Sequence, residues 1–336
     1  MRARAAVIVA LLFLGAPAAA VRPNEAARVD RQLTEAGRWT ERLGEALMVG
    51  MESQRALNQG MRALVTPLLS RERIIAGAPA LRPLIERSRA DLRRSNALLD
   101  ALPPAPPEMV ESSQLVADAR AHNARLSALL DSFEDFIVAV GKADIAAMDR
   151  VMPRMMEGAF AIVGQQRLLV RNRQASVETT DSTHQSLGVV GQLYRGMEAA
   201  LRHSMAAKEN GGAQADSAAA ALRAELRLIA AETRSVAATG RRNLAREIAE
   251  IETEQRSTRD PAEARLLGRV RDVYAGEGKV FELADRLVAF AEAHQGVTGA
   301  QLRDPAGPRL LPALTQMEAD YMLISQAQAA ALAQGQ

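Results

Sequence analysis

The chain has 336 residues, no cysteine, and 42 basic against 40 acidic side chains. The lack of cysteine excludes disulfide bonds, thiolate metal sites and a lipidated cysteine behind a leader. Residues 1–20 hold Arg2 and Arg4 but no acid, so the rest of the chain is charge-balanced, which argues against nucleic-acid binding through a clustered excess of Lys and Arg.

Residues 1–20 have the pattern of a secretory signal peptide. A basic start is followed by an apolar run over 5–14, and the small residues Ala18 and Ala20 fit cleavage before Val21. This run is too short to span a bilayer, and no later run reaches spanning length. We therefore predict cleavage after Ala20 and a periplasmic or secreted protein without stable membrane insertion. An uncleaved N-terminal anchor is the alternative.

Apolar residues recur in alternating steps of four and three along the chain, as in helices that pack side by side. Over 29–68 the pattern is unbroken and predicts one long helix that needs long helical partners. Prolines, glycines and polar runs divide the rest into seven further helices. These are predicted at 70 or 80–102, 108–141, 143–169, 187–208, 216–251 with Asp216 as N-cap, 261–291, and from 308 onward.

Eight helices and no strand pattern predict an all-α protein of tandem antiparallel four-helix bundles with long coiled-coil-like helices. The polar run 176–183 is the predicted joint, which places the first bundle at 21–176 and the second at 177–336. A helix continuous through the joint is the alternative. Similar sequences at 153–156 and 308–311, each predicted to open a final helix, suggest a duplication.

Few residues fit a catalytic or metal site. The pairs Asp118–His122 and Asp181–His184 could each share a helix face, but the Glu-x-x-His motif of metal-binding bundles does not occur. Serine-nucleophile and phosphate-loop motifs are also missing. We therefore predict a non-enzymatic protein with no catalytic residues, no metal and no cofactor. Trp39, the only tryptophan, is predicted to be a packing residue.

Polar side chains on inward positions are better candidates for function. Thr40 and Gln54 interrupt the first stripe, and Gln166 and Arg173 interrupt the fourth. Buried polar groups need partners, so these residues either fix the register between helices or line a polar pocket. In such a pocket Arg could hold a small anion or a carboxylate.

Residues 164–172, Gly-Gln-Gln-Arg-Leu-Leu-Val-Arg-Asn, resemble the G-R-Q-R-M-L-S-Q-R signature of the periplasmic domain of type IV pili methyl-accepting chemotaxis transducers, the PilJ-like family. Gly164, Gln166, Arg167 and Leu169 match. Residues 36–38, Ala-Gly-Arg, resemble the start of the same signature. The resemblance implies an extracytoplasmic four-helix sensor bundle in which Arg167 meets a ligand.

The predicted ligand-binding residues are Arg38, Gln166, Arg167, Arg171 and Arg173. The predicted function is sensor-like binding of a small ligand, for which an anion is one candidate, or of an envelope or receptor protein in an interhelical groove. A homodimer is a further partner class. The alternative is a structural adaptor of the cell envelope, coiled-coil in character, without a small-molecule ligand.

Overall fold

The computed structural model describes residues 23–65, 78–106, 113–176, 181–209, 212–304 and 309–334. These residues form nine α-helices and one 3-10 turn and contain no strand, which confirms the predicted all-α class. The predicted leader, Leu68 and most of the linkers lie outside the described residues. No helix within them combines the length and apolarity that crossing a membrane requires.

The nine described α-helices are numbered in chain order. They are α1 (Pro23–Val65), α2 (Arg82–Asp100), α3 (Ser113–Gly141), α4 (Ile145–Ser176), α5 (Ser182–Glu209), α6 (Gly212–Ser257), α7 (Pro261–Ala293), α8 (Gly299–Arg303) and α9 (Leu310–Ala333). All except α8 correspond to predicted helices. The short α8 was missed, although Thr298 and Gln301 form a capping box at its start.

Three predicted helix starts are wrong and one is confirmed. Helix α5 begins at Ser182 and not at 187. Helix α6 begins at Gly212, so Asp216 lies inside it, and α4 begins at Ile145, so Pro153 lies within that helix and does not open it. Asp260 is the predicted N-cap of α7, because its Oδ1 accepts a hydrogen bond from Ala262 N at 2.9 Å. Pro261 follows it at the first helical position.

Helices α4 and α5 are antiparallel neighbours and not one continuous helix. Asp181 is not helical, and the second half of α4 packs on α5 in antiparallel register, with Gln174 bonded to His184 and Arg167 paired with Glu198. In chain order, α1 packs on α2, α2 on α3 and α3 on α4, while α5, α6, α7 and α9 pack together. This layout agrees with two consecutive sets of four long helices.

Three apolar clusters form the described core. The largest joins α5 to α9 around Tyr274 and Phe281. A second joins the start of α2 to α3 and α4 around Phe133, and a third joins α1 to α2 around Trp39 and Leu99. Trp39 is 3 % exposed and donates from Nε1 to Pro103 O at 3.1 Å, so it is the predicted packing residue.

The N-terminal half of α1 also packs against α7 and the last turns of α9, across the predicted division at 176/177. Gly37 lies directly against the backbone of Leu332. The buried Arg269 of α7 donates from Nη1 to Thr34 Oγ1 and to Leu332 O, both at 2.8 Å. Helix α1 therefore contacts both sets of helices, and the division into two separate bundles stays a prediction.

Candidate functional site

Arg167, the residue that the resemblance implies for ligand binding, lies at the seam between α4 and α5. Its Nη1 forms an ion pair with Glu198, which is also paired with Arg202 one turn further along α5. The Arg167 side chain is 46 % exposed, whereas that of Glu198 is 18 % exposed. A ligand that binds Arg167 must therefore compete with the carboxylate of Glu198, which already pairs with both Arg167 and Arg202.

The other predicted ligand-binding residues are distributed over two helices. Gln166 is half-buried, with its Oε1 buried and not hydrogen-bonded to any described residue, and Arg171 is exposed. The side chain of Arg173 lies outside the described part of the chain. Arg38 is exposed on α1, which packs mainly on α2, α7 and α9, while α4 packs mainly on α3 and α5. Arg38 and Arg167 thus lie on helices that are not principal packing partners.

A groove lies between α2 and α3 in the described part of the chain. It has a volume of about 490 Å³ and is partly open to solvent, a size within the usual range of small-molecule sites. Its lining residues are mostly polar: Arg89, Leu92, Arg93, Asn96, Asp100, Arg120, Asn123, Ala124 and Ser127. Three guanidinium groups and one carboxylate thus belong to the lining, and the carboxylates of Asp131 and Glu134 pair with Arg89 beside it.

Helical spacing brings these side chains together. Arg89, Arg93, Asn96 and Asp100 follow one another at steps of four, three and four residues, so they form one stripe along α2. On α3, the small residues Ala124 and Ser127 face this stripe. Because their side chains are short, the space between the two helices stays open.

Asn123 forms the buried end of the groove. It is 4 % exposed, and its Nδ2 donates to Ser95 Oγ at 2.9 Å and to Asn96 Oδ1 at 2.8 Å. Ser95 Oγ in turn donates to Ala46 O on α1 at 2.7 Å. A chain of hydrogen bonds therefore fixes the groove to the α1–α2 core, and its polar end is pre-organised.

The three arginines of the groove differ in their partners. Arg89 is held by Asp131 and Glu134 of α3, at 2.6 and 2.7 Å, and Arg120 by Asp100 at 2.7 Å. Arg93 is exposed, and no described residue forms an ion pair with it. Arg93 is therefore the guanidinium best placed to meet an incoming anion.

The two Asp–His pairs noted in the sequence differ in the structure. Half-buried His122 lies on α3, and its burial, with a smaller effect of Arg125, lowers its pKa to about 4. Asp118 accepts a hydrogen bond from Gln114 Nε2 at 3.1 Å. Asp181 and His184 do meet, but through the backbone N of His184, which donates to Asp181 Oδ1. Among the described residues, no group of three or more His, Asp or Glu side chains is placed to hold a metal ion.

Comparison with known proteins adds no assignment. No protein-family model matches the chain, and neither the search of curated proteins nor that of solved structures gives a significant match.

Sequence reasoning missed the α2–α3 groove. A signal was available, since Arg89 and Arg93 stand four residues apart beside the inward stripe that contains Leu92. Finding the groove also required the register of α3 against α2, which places Ala124 and Ser127 opposite these arginines. The inward stripes alone do not determine that register.

Proposed function

We propose that this chain is an exported, non-enzymatic helical-bundle protein that binds a small anionic ligand in the groove between α2 and α3. The observation that carries the proposal is Arg93, which lines a cavity of about 490 Å³ and forms no ion pair with a described residue, whereas Arg89 and Arg120 beside it are paired with acids. Export rests on the leader-like residues 1–20, and the sensor-like role rests on the resemblance around Arg167.

Carboxylate and phosphate groups are the ligand chemistry that suits this groove. A guanidinium presents a planar fork of N–H donors that pairs with two oxygens at once. Arg93 supplies such a fork at the mouth, and Asn96 can add the N–H donors of its side-chain amide, because only its Oδ1 is used by Asn123. Asn123 itself donates to Ser95 and Asn96 and therefore shapes the groove without donating to the ligand. The ion pairs of Arg89 and Arg120 hold those two side chains in place, which reduces the entropy lost when a ligand binds.

A thermal-shift series tests this proposal with inorganic phosphate, sulfate and succinate as probes, each compared with sodium chloride at equal ionic strength. A probe present at about 100 times its Kd stabilises the native state by about 2.7 kcal/mol, which raises Tm by roughly 5 °C. We expect Arg93→Ala to lose most of this shift and to keep the helical circular dichroism spectrum.

The matched control is Arg94→Ala. Arg94 is the next residue on α2, outside the groove lining, and its Nη2 lies 3.8 Å from Glu45 on α1. The Arg94→Ala variant should therefore keep the full probe-dependent rise in Tm. Arg167→Ala tests the site predicted from the sequence. If Arg167→Ala loses the Tm shift and Arg93→Ala keeps it, the anion site lies on α4. No probe-dependent shift in the unmodified chain would refute binding of these anions.

A structural or adaptor role is the second candidate, favoured by one observation. Ser53 Oγ donates to Ser88 O and Ser88 Oγ donates to Ser53 O, both at 3.0 Å and both buried. Such reciprocal bonds fix the register of α1 against α2, as polar core residues do in coiled coils. A protein with this role would show no probe-dependent shift, and sedimentation analysis would detect self-association.

A further inference from the structure

The three arginines of the α2–α3 groove are not equally available to a ligand. Arg89 is held by two acids of α3, and its side chain is 31 % exposed. Arg93 is exposed and forms no ion pair with a described residue. Arg120 has one acidic partner, Asp100, and both residues of this pair are exposed. Two guanidinium groups, those of Arg93 and Arg120, can therefore meet an incoming anion.

The ion pair between Arg120 and Asp100 is easily exchanged. Its Nη2–Oδ1 distance is 2.7 Å, but the Asp100 side chain is 70 % exposed, and exposed ion pairs contribute little free energy. Asp100 is also the last residue of α2, where the carbonyl end of the helix disfavours negative charge. Arg120 has a second contact at this helix end, because its Nη2 donates to Leu99 O at 3.5 Å. A ligand carboxylate can therefore compete with Asp100 for Arg120 at small cost.

The positions of the two available arginines determine how far apart the anionic groups of a ligand should be. Arg93 and Asp100 stand seven residues apart on one face of α2, which is roughly 10 Å along the helix axis. Arg120 reaches Asp100 from α3, so it is anchored two turns of α2 away from Arg93. This separation favours a ligand with two separate anionic groups over one compact anion.

Between these two arginines the lining of the groove carries no charge. Asn96 of α2 and Ser127 of α3 are polar, and Ala124 of α3 is small. Asp100 is the one acid among the nine lining residues. An uncharged carbon chain can therefore lie in the groove with an anionic group at each end.

We propose that the ligand of this groove is an extended dicarboxylate, with one carboxylate on Arg93 and the other on Arg120 in competition with Asp100. This inference rests on the proposed anion site and names its ligand class. Each guanidinium pairs with the two oxygens of one carboxylate, and the chain between the carboxylates passes Asn96. Phosphate and sulfate carry their charge on one centre, so each of them meets only one of these two arginines.

Isothermal titration calorimetry of the full chain tests the ligand class with succinate, adipate, malonate and butyrate at constant ionic strength. Butyrate has one carboxylate, and malonate holds both of its carboxylates on a single carbon. Because the second carboxylate binds within the same complex, the tighter of succinate and adipate should bind about tenfold more tightly than either control. Similar affinities for all four would overturn the dicarboxylate assignment and leave the anion site in place, whereas no binding of any of them would overturn both proposals.

Two substitutions locate the second carboxylate. Asp100→Asn keeps an oxygen that can accept a hydrogen bond from Arg120 but removes the competing charge, so the dicarboxylate should bind several-fold more tightly, with a smaller gain for butyrate. Arg120→Gln should reduce the affinity for the dicarboxylate to that for butyrate, which remains bound to Arg93. Glu86→Gln removes an exposed acid of α2 outside the groove lining, and as the control for net charge it should change neither affinity. An unchanged affinity for the dicarboxylate in Asp100→Asn or in Arg120→Gln overturns the proposal.

Discussion

Replacing Gly37 by alanine should destabilise the protein, although alanine is the better helix former. A Cβ at this position would lie 2.5 Å from Ala333 N and from the carbonyl carbon of Leu332. Ordinary contacts between nonbonded atoms are about 3.5 Å or longer, so the last turn of α9 must move away by roughly 1 Å. That turn carries Leu332, which is 1 % exposed in the largest core cluster.

The movement has a second cost at Arg269. The bond from Arg269 Nη1 to Leu332 O measures 2.8 Å, and a shift of roughly 1 Å takes it beyond hydrogen-bonding distance. Losing a bond from a charged donor costs about 1.5–3 kcal/mol, and overpacking costs about 1–3 kcal/mol. The better helix propensity of alanine returns about 1 kcal/mol. We expect a net loss of about 2–4 kcal/mol.

Urea unfolding followed by circular dichroism and by Trp39 fluorescence measures this loss. Trp39 is the only tryptophan, is buried, and stands two residues from Gly37. Gly164→Ala is the matched control, because a Cβ there meets no atom within 4 Å and alanine should stabilise α4 by up to about 1 kcal/mol. If both variants are equally stable, the close packing of α1 on α9 is refuted.

Two further predictions concern the first set of helices. Ser95→Ala should lower the free energy of unfolding in urea by about 1–3 kcal/mol, because it removes the bond to Ala46 O and an acceptor of buried Asn123. The control is Ser132→Ala, which should be nearly neutral because the Ser132 hydroxyl bonds within α3. Equal losses of stability in the two variants would contradict this reasoning. The lowered pKa of His122, about 4, means that the unfolded chain takes up a proton first as the pH falls below about 6.5. Stability should therefore drop by up to about 3 kcal/mol toward pH 4, and His122→Gln should lack this part of the drop in the same titration.

Much of the fold was predictable because its determinants are local. A step of four and three residues marks the inward face of a helix wherever its partner lies, which is why Leu43 in α1 and Leu226 in α6 are buried as predicted. The start of α7 was predictable for the same reason, since Asp260 and Pro261 act within one turn. The contact of α1 with α9 was not predictable, because nothing in the sequence near Gly37 indicates which distant helix will approach it.

Inward polar residues were harder to interpret, since one sequence position allows several partners. Thr40 interrupts the α1 stripe as a pocket residue would, but its Oγ1 donates to Ala36 O at 2.8 Å within its own helix. Ser53 and Ser88 bond across helices instead. The choice between a local and an interhelical partner depends on how closely two backbones approach, which the spacing of apolar residues does not specify.

Acids on inward positions were the signal that sequence reasoning overlooked. Glu277 stands four residues after Val273 and three before Val280, within the inward stripe of α7, and Glu247 stands three after Leu244 on α6. Burying a charged carboxylate without a partner costs free energy, so an acid that only needed solvation would be destabilising at these inward positions. Helix α7 could remain amphipathic with a leucine at 277, so the acid is not required by the apolar core. Such a residue is more informative than an exposed charge: Glu247 is 5 % exposed and accepts hydrogen bonds from the hydroxyl and the backbone N of Ser182 at the start of α5.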